Sequence, residues 1–228
     1  FLGESFWRSG EGLGISSMNT TEYYERYWNA DEPPPESDPT TPVRQRLLMD
    51  SLALLQKKEG RRLRILDAGC GSGYFLEQLD RSGFETHGVD LSRTAADEAR
   101  KRCPNAQVQA ASLEERLPYL DGHFDAVWST EVIEHVFDPN AFLAESHRVL
   151  RPGGVIVLTT PYHGLAKNVA IAVAGFDRHF DPVGPHIRFF TIPSMYRLLA
   201  ETGYKSPAWR GIGRFWPLYK SMFVTARK

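Results

Sequence analysis

Apolar runs and amphipathic stretches alternate along most of the chain. Leu63–Asp67 (LRILD), Glu85–Asp90 (ETHGVD), Ala106–Ala110, Phe124–Ser129 (FDAVWS) and Gly154–Thr160 (GVIVLTT) read as five strands. Helical spacing is expected between them, over about Tyr74–Arg81, Ser92–Arg102 and Asn140–Leu150, with a turn at RPGG (151–154). Two helices precede the first strand: Thr20–Trp28, carrying Tyr23, Tyr24, Tyr27 and Trp28, and Val43–Lys58, ended by Gly60. The Pro- and Asp-rich stretch Asn29–Pro42 separates them as a loop. After the fifth strand come a helix over Thr191–Thr202, capped by Thr191 with Pro193 in its first turn, and two closing strands, Lys205–Gly211 and Tyr219–Arg227. Strands separated by helices imply βαβ crossovers and a mostly parallel, three-layer α/β sandwich.

The length of 228 residues suits one domain, and 42% hydrophobic with 24% charged residues is ordinary globular usage. A net charge of −1 gives no global electrostatic case for nucleic-acid binding. The basic run Lys57, Lys58, Arg61, Arg62, Arg64 has no interleaved aromatics and reads as a solvated cluster at a helix end. The longest strongly apolar stretch, Val169–Phe176, is far short of the ~20 residues of a membrane span. Cys70 and Cys103 make no disulfide framework and read as reduced thiols, which points to a cytoplasmic setting. Residues 1–17 lack the pattern of a signal peptide and read as a tag or unstructured leader. Residues 18–228 then form a single domain, with 18–60 as an N-terminal helical segment and 162–190 as an insertion too long for a plain βα connection.

The sharpest local signal is ILDAGCGSGYF (65–75), a glycine loop between a strand and a helix. Gly69, Gly71 and Gly73 allow backbone to approach a ligand at the carboxyl end of the first strand. Asp67 precedes the loop, and Asp90 ends the next strand, where an acid can accept both hydroxyls of a ribose. A carboxylate beside the loop suits a ligand with a cationic amino-acid end better than a polyanion.

LDAGCGSG, GVDLS, FDAVWSTEVIEHV and LRPGGVIVLTTP, in this order, resemble the class I S-adenosylmethionine (SAM)-dependent methyltransferases, closely over residues 63–162 and loosely beyond, and most of all the small-molecule enzymes such as the ubiquinone-biosynthesis O-methyltransferases. The resemblance implies a Rossmann-like three-layer sandwich whose seven-stranded, mostly parallel sheet has one antiparallel edge strand. It implies SAM as cofactor and a small-molecule acceptor. The loop Gly69, Cys70, Gly71, Gly73 would lie against the methionine part, with Asp67 ordering it. Asp90 would take the ribose hydroxyls, Leu91 would pack on the adenine, and Ser112 and Leu113 would flank its amino group. Ser129 would line the methyl-transfer channel, and Tyr24 belongs to a helix that closes over SAM.

Glu131, Glu134 and His135 fall at i, i+3 and i+4, one face if the segment is helical. Similar E-x-x-E-H segments are metal ligands in methyltransferases acting on the terminal ribose of small RNAs and on catechol-type intermediates of ubiquinone synthesis, with a fourth ligand that here would be His186 or His163. The favoured reading is metal-free, with Glu131 near a helix start and His135, His163 or His186 as a general base for an oxygen acceptor. A metal-dependent RNA ribose 2′-O-methyltransferase and a non-catalytic SAM-binding protein of the same fold are the rivals. Insertion 162–190 holds His163, His179, His186 and the run Val169–Phe176, expected to pack on the sheet or over an acceptor.

Overall fold

The computed structural model describes residues 20–29, 37–180 and 185–228; the expected leader 1–17 and part of the Pro-rich loop lie outside them. Helices α1 (Thr20–Asn29) and α2 (Thr41–Glu59) precede β1 (Arg64–Ala68), α3 (Tyr74–Arg81), β2 (Glu85–Asp90), α4 (Arg93–Arg102) and β3 (Gln107–Ala110). Then follow β4 (Phe124–Thr130), α5 (Pro139–Val149), β5 (Leu150–Pro161), α6 (Leu165–Ala174), α7 (Phe176–His179), α8 (Ile192–Glu201), β6 (Lys205–Ile212) and β7 (Ser221–Arg227). The expected elements are therefore present, most within a few residues of their expected limits. The RPGG turn is absorbed into β5 as an irregularity: Phe124 pairs with Leu150, but Ala126 already pairs with Val155.

The seven strands run in the order β3-β2-β1-β4-β5-β7-β6. Only β7 opposes its neighbours, lying antiparallel between β5 and the edge strand β6. Alternating side chains divide between two cores, as the period of a strand requires. Leu66, Val127, Ile156, Leu158, Met222 and Val224 face α5 and α8, through Phe142, Leu143, Met195 and Leu199. Ile65, Ala126, Trp128, Val157 and Phe223 face α2 and α3, through Leu48, Leu52, Phe75 and Leu79. Both faces of the sheet are thus covered, so its strands read as nearly continuous apolar runs.

Local chemistry sets the helix starts. Ser92 caps α4 by accepting from the Ala95 amide, and Asp138 caps α5 with Pro139 next to it. Thr191 and Ser194 form a reciprocal capping box on α8.

At the amino-terminal ends of the strands, the buried carboxylate of Asp125 gathers the Arg61 guanidinium, the Arg64 amide at 2.9 Å and the Arg151 guanidinium. Arg62 is held by the carbonyls of Gly83 and Phe84, and Arg64 by Glu85. The arginines of the basic run therefore fasten β1, β2 and β4 together, and Arg151 adds β5, at the end of the sheet away from the glycine loop. Burial pushes the Asp125 carboxyl up, but Arg61, the Arg64 amide and Arg151 outweigh it and hold it below the usual carboxylate range. Asp125→Ala should cost roughly 2–4 kcal/mol, because the arginines lose a buried acceptor. A depressed carboxyl contributes stability above its unfolded value and loses it as pH falls through the folded one. Thermal melts should therefore show a lower Tm for the variant at neutral pH and a smaller gap from the unmodified protein in acid; equal melting at pH 7 would contradict the assignment.

Candidate functional site

Strands β1 and β4 lie side by side, and the helices that follow them cover opposite faces of the sheet, which opens a crevice at their carboxyl ends. The loop from Gly69 to Gly73 forms one wall. The Gly69 and Cys70 amides donate to the Val89 carbonyl at 2.8 and 3.0 Å, holding the loop against β2. Gly71 and Gly73 adopt φ of +51° and +86°, in the left-handed region. A Cβ at Gly73 would come within 3.1 Å of Ala99, so this glycine lets α3 and α4 pack closely. A Cβ at Gly71 would lie 2.7 Å from the Trp28 ring, which packs over the loop from α1.

Asp67 and Asp90, near the ends of adjacent strands, meet behind this loop. Asp90 accepts from the Gly71 amide at 2.8 Å and, through its other oxygen, from the Ser92 amide at 3.0 Å. Burial raises its carboxyl, although these amides pull the other way. The Asp67 carboxylate has no such help: its Oδ2 is buried without a hydrogen-bond partner. Burial, and then the charge of Asp90, push it up to about 8. Leu91, half-buried, follows Asp90. Ser112 is half-buried with its hydroxyl accepting from the Glu114 amide, and Leu113 is buried in the core beside it. Cys70 is a buried free thiol whose Sγ lies 3.7 Å from the Gly71 carbonyl, and burial pushes it well up.

The segment Glu131–Val136 is not the expected helix. It is a turn, and Glu131 takes a left-handed φ of +50°. Glu131 consequently parts from the other two candidate ligands. Glu131 turns toward Arg44 of α2, 3.3 Å away, and accepts from Ser221 at the start of β7. Glu134 is fully buried, accepting from the Thr160 hydroxyl at 2.9 Å. Its carbonyl accepts the amides of Ile187 and Arg188, which brings the insertion to the crevice. His186 thereby stacks obliquely on His135, ring centres 4.8 Å apart. Glu134, His135 and His186 each offer one ligand atom within 4.8 Å of the others. His163 lies apart, its Nδ1 3.1 Å from Asn168 and its ring packed on Phe189.

The His135 Nδ1 is 2.9 Å from the Pro185 carbonyl; a carbonyl only accepts, so this nitrogen carries the proton and Nε2 the lone pair. Burial, and then His186, push His135 down to about 4, whereas burial and Glu131 push Glu134 well up. Burial likewise lowers His186, and lowers His163 to about 4.

Helix α1 roofs the crevice. Tyr24 meets the His135 ring edge-on, with centres 6.2 Å apart, and burial raises its hydroxyl far above the usual range. Glu25, which the sequence reading did not single out, accepts from the Ser92 hydroxyl (3.0 Å), the Arg93 and Thr94 amides and the Thr94 hydroxyl (2.9 Å) at the start of α4. Arg44 and Thr160 were also missed. A carboxylate on an amphipathic helix carries no sign of which helix start it will cap, and a lone arginine none of its buried partners.

The residues fit SAM. Asp67 Oδ2, Ser129 Oγ, Thr130 Oγ1, Thr159 Oγ1 and Glu134 Oε1 are buried and without hydrogen-bond partners, all at or just beyond the carboxyl ends of β1, β4 and β5. Each such group costs about 1–3 kcal/mol while unpaired. An amino-acid end with an ammonium group satisfies acceptors of this kind, and its charge offsets the two buried carboxylates.

The Methyltransferase domain family matches residues 43–206, well over half of the chain. A ubiquinone biosynthesis O-methyltransferase from a Caulobacter species is 37% identical over 54% of this chain and 51% of its own length. A probable S-adenosylmethionine-dependent methyltransferase from Mycolicibacterium smegmatis is 32% identical over 62% and 51%. The chain thus spans about half the length of these curated relatives. Among solved structures, a SAM-dependent methyltransferase from Thermotoga maritima, described as a possible histamine N-methyltransferase, superposes with a TM-score of 0.60 at 21% identity, covering 78% of this chain and 88% of its own. That likeness speaks for the fold. With the glycine loop, the paired acids and the strand order, the family match identifies the chain as a member of the class I SAM-dependent methyltransferases.

Proposed function

We propose that this chain transfers the methyl group of SAM to an oxygen atom of a small-molecule acceptor. The observation that carries the reading is the cluster of Glu134, His135 and His186 just beyond the carboxyl end of β4; an acceptor hydroxyl there would need a group to take its proton. The similarity to the ubiquinone biosynthesis O-methyltransferase supports it.

SAM, when bound, supplies an electrophilic methyl group. The chain's own residues do the rest. Asp67 and the loop Gly69, Cys70, Gly71, Gly73 hold the amino-acid end; Asp90 holds the ribose; Leu91, Ser112 and Leu113 flank the adenine. Tyr24 and Trp28 cover the crevice and exclude water, and Ser129 lines the way to the acceptor. Alignment of the acceptor supplies much of the rate. The hydroxyl proton passes to the lone pair of His135 or to His186, with Glu134 beside them. His163 is held by Asn168 and serves the acceptor wall. An RNA acceptor is disfavoured, since the arginines of the basic run are occupied on the opposite side of the sheet.

The second reading is that Glu134, His135 and His186 hold a divalent ion that would lower the pKa of the hydroxyl. It needs further ligands, and Glu131 is engaged by Arg44 and Ser221 instead. Incubation with SAM and a panel of phenols, alcohols, amines and RNA ends, followed by mass spectrometry with and without EDTA, decides between them. A methylated hydroxyl compound formed in EDTA is expected. Exclusive methylation of amines or RNA would overturn the oxygen assignment, and activity lost to EDTA and restored by a divalent metal would establish the second reading.

Two binding predictions follow from the cofactor residues. Gly71→Val should reduce SAM affinity by at least roughly a hundredfold while the protein stays folded, because the branched side chain is strained at this φ and displaces Trp28. Normal affinity by calorimetry would remove the loop from the site. Second, Asp67, raised to about 8, is largely protonated at pH 7 in the free protein, whereas an ammonium group favours its ionised form. SAM binding at pH 7 should release protons, and affinity should rise with pH up to about 8 and fall above it, as the α-amino group of free SAM loses its proton at about 8. Calorimetry in buffers of different ionisation enthalpy measures the release; an Asp67→Asn protein that releases as many protons would refute it.

A further inference from the structure

No residue of α1 is buried, although the helix lies across the crevice. Ring contacts bring it there, Tyr24 against His135 and Trp28 over Gly71, and Glu25 ties it to α4. An α-helix leaves its first four backbone N–H groups without partners inside the helix. At the start of α4 all four are taken. The Ser92 amide donates to Asp90 at 3.0 Å, the Arg93 and Thr94 amides donate to Glu25 at 2.5 and 3.3 Å, and the Ala95 amide donates to the Ser92 hydroxyl at 3.2 Å. That hydroxyl in turn donates to Glu25 at 3.0 Å. The Thr94 hydroxyl donates to Glu25 at 2.9 Å and accepts from Asn29, also on α1, at 3.4 Å. A residue of the roof therefore takes half of the free amides of a helix it does not belong to.

The cap joins two acids with different tasks. Both hold Ser92, Asp90 by its amide and Glu25 by its hydroxyl, so the seat of α1 and the position of Asp90 meet in one residue. Charge couples them as well. With α1 seated, Glu25 adds its negative charge to that of Asp90, which already faces Asp67. Like charges so gathered repel. SAM brings a sulfonium and an ammonium, and these offset the gathered carboxylates. A filled crevice and a seated α1 consequently favour one another, and by linkage the factor is the same in both directions.

We propose that Glu25 is a positioning residue for SAM: it completes the start of α4, steadies Asp90 through Ser92, and ties the seating of α1 to the filling of the crevice. The inference rests on the placement of SAM between the glycine loop and Asp90. Calorimetry with SAM and hydrogen exchange of the α1 amides, both on the full chain, test it. Glu25→Ala should weaken SAM binding roughly tenfold, as the loss of charge-assisted bonds predicts, and Glu25→Gln, which keeps one carbonyl oxygen, should lose less. Thr94→Ala should weaken it roughly threefold but add nothing in a protein already lacking the Glu25 carboxylate, because its hydroxyl acts through that carboxylate. SAM should slow exchange of the α1 amides roughly twentyfold in the unmodified protein and only about twofold in Glu25→Ala. A merely structural anchor would lower α1 protection equally with and without SAM and leave SAM affinity unchanged. The melting temperature without SAM should stay within about 3 °C of the unmodified value, which separates lost binding from lost folding. Unchanged SAM affinity in Glu25→Ala, or an undiminished effect of SAM on α1 exchange, would overturn the proposal while leaving the site in place. Normal SAM affinity in both Gly71→Val and Asp90→Ala would instead remove SAM from this crevice, and the role of Glu25 with it.

Discussion

Two carboxylates kept from water at the ends of neighbouring strands are the constraint around which the crevice is arranged. Asp67 and Asp90 repel each other, and burial denies them the solvent that would screen the repulsion. Asp90 is relieved by two backbone amides, and in accepting them it fixes the middle of the glycine loop and the start of α4 together. Asp67 is relieved by a proton or by a cation from outside. The loop needs glycine because its amides must point inward to the acid while its outer side lies under Trp28. The roof helix follows the same logic: α4 begins with free amides beside Asp90, and Glu25 of α1 takes them.

Much of this was legible in the sequence. Strands buried on both faces announce themselves as apolar runs, and glycine between a strand and a helix has few uses, so the seven strands, the loop and Asp90 could be placed from residue pattern and family resemblance. What could not be read depended on the partner across space. Glu131, Glu134 and His135 have the spacing of a helical face, yet the chain leaves β4 through a left-handed residue, and tertiary partners decide each side chain's direction: Arg44 and Ser221 for Glu131, Thr160 for Glu134, Pro185 for His135. Likewise, of the two expectations for the run Val169–Phe176, packing on the sheet does not hold for Val169 and Val173, which are exposed, while the buried residue of α6 is Lys167, seated on the backbone carbonyls of Tyr162 and Lys220.

The crevice thus has two halves of different character. The side proposed to hold the cofactor is built, beneath the α1 roof, from neighbours in sequence: loop, β2 and α4 all lie within a few dozen residues. The side proposed to take the acceptor is assembled from distant pieces, with Glu134 joined to residues 187 and 188, and Glu131 to α2 and β7. That second side is a mosaic held by a few polar bonds.

The place of β7 in the sheet has a consequence for how the chain reaches this state. β7 follows β6 in sequence yet lies between β5 and β6 in the sheet, so neither β5 nor β6 has its partner on that side until β7 has been made. As the polypeptide leaves the ribosome, β1, β2 and β3 can collapse with their crossover helices through contacts of short range, whereas the other end of the sheet must wait for residues 221–227. Ser221 and the Lys220 carbonyl, which steady Glu131 and Lys167, arrive with that strand. On the proposed assignment, the cofactor side of the crevice can take shape early in synthesis, and the acceptor side is completed only when β7 slides between β5 and β6.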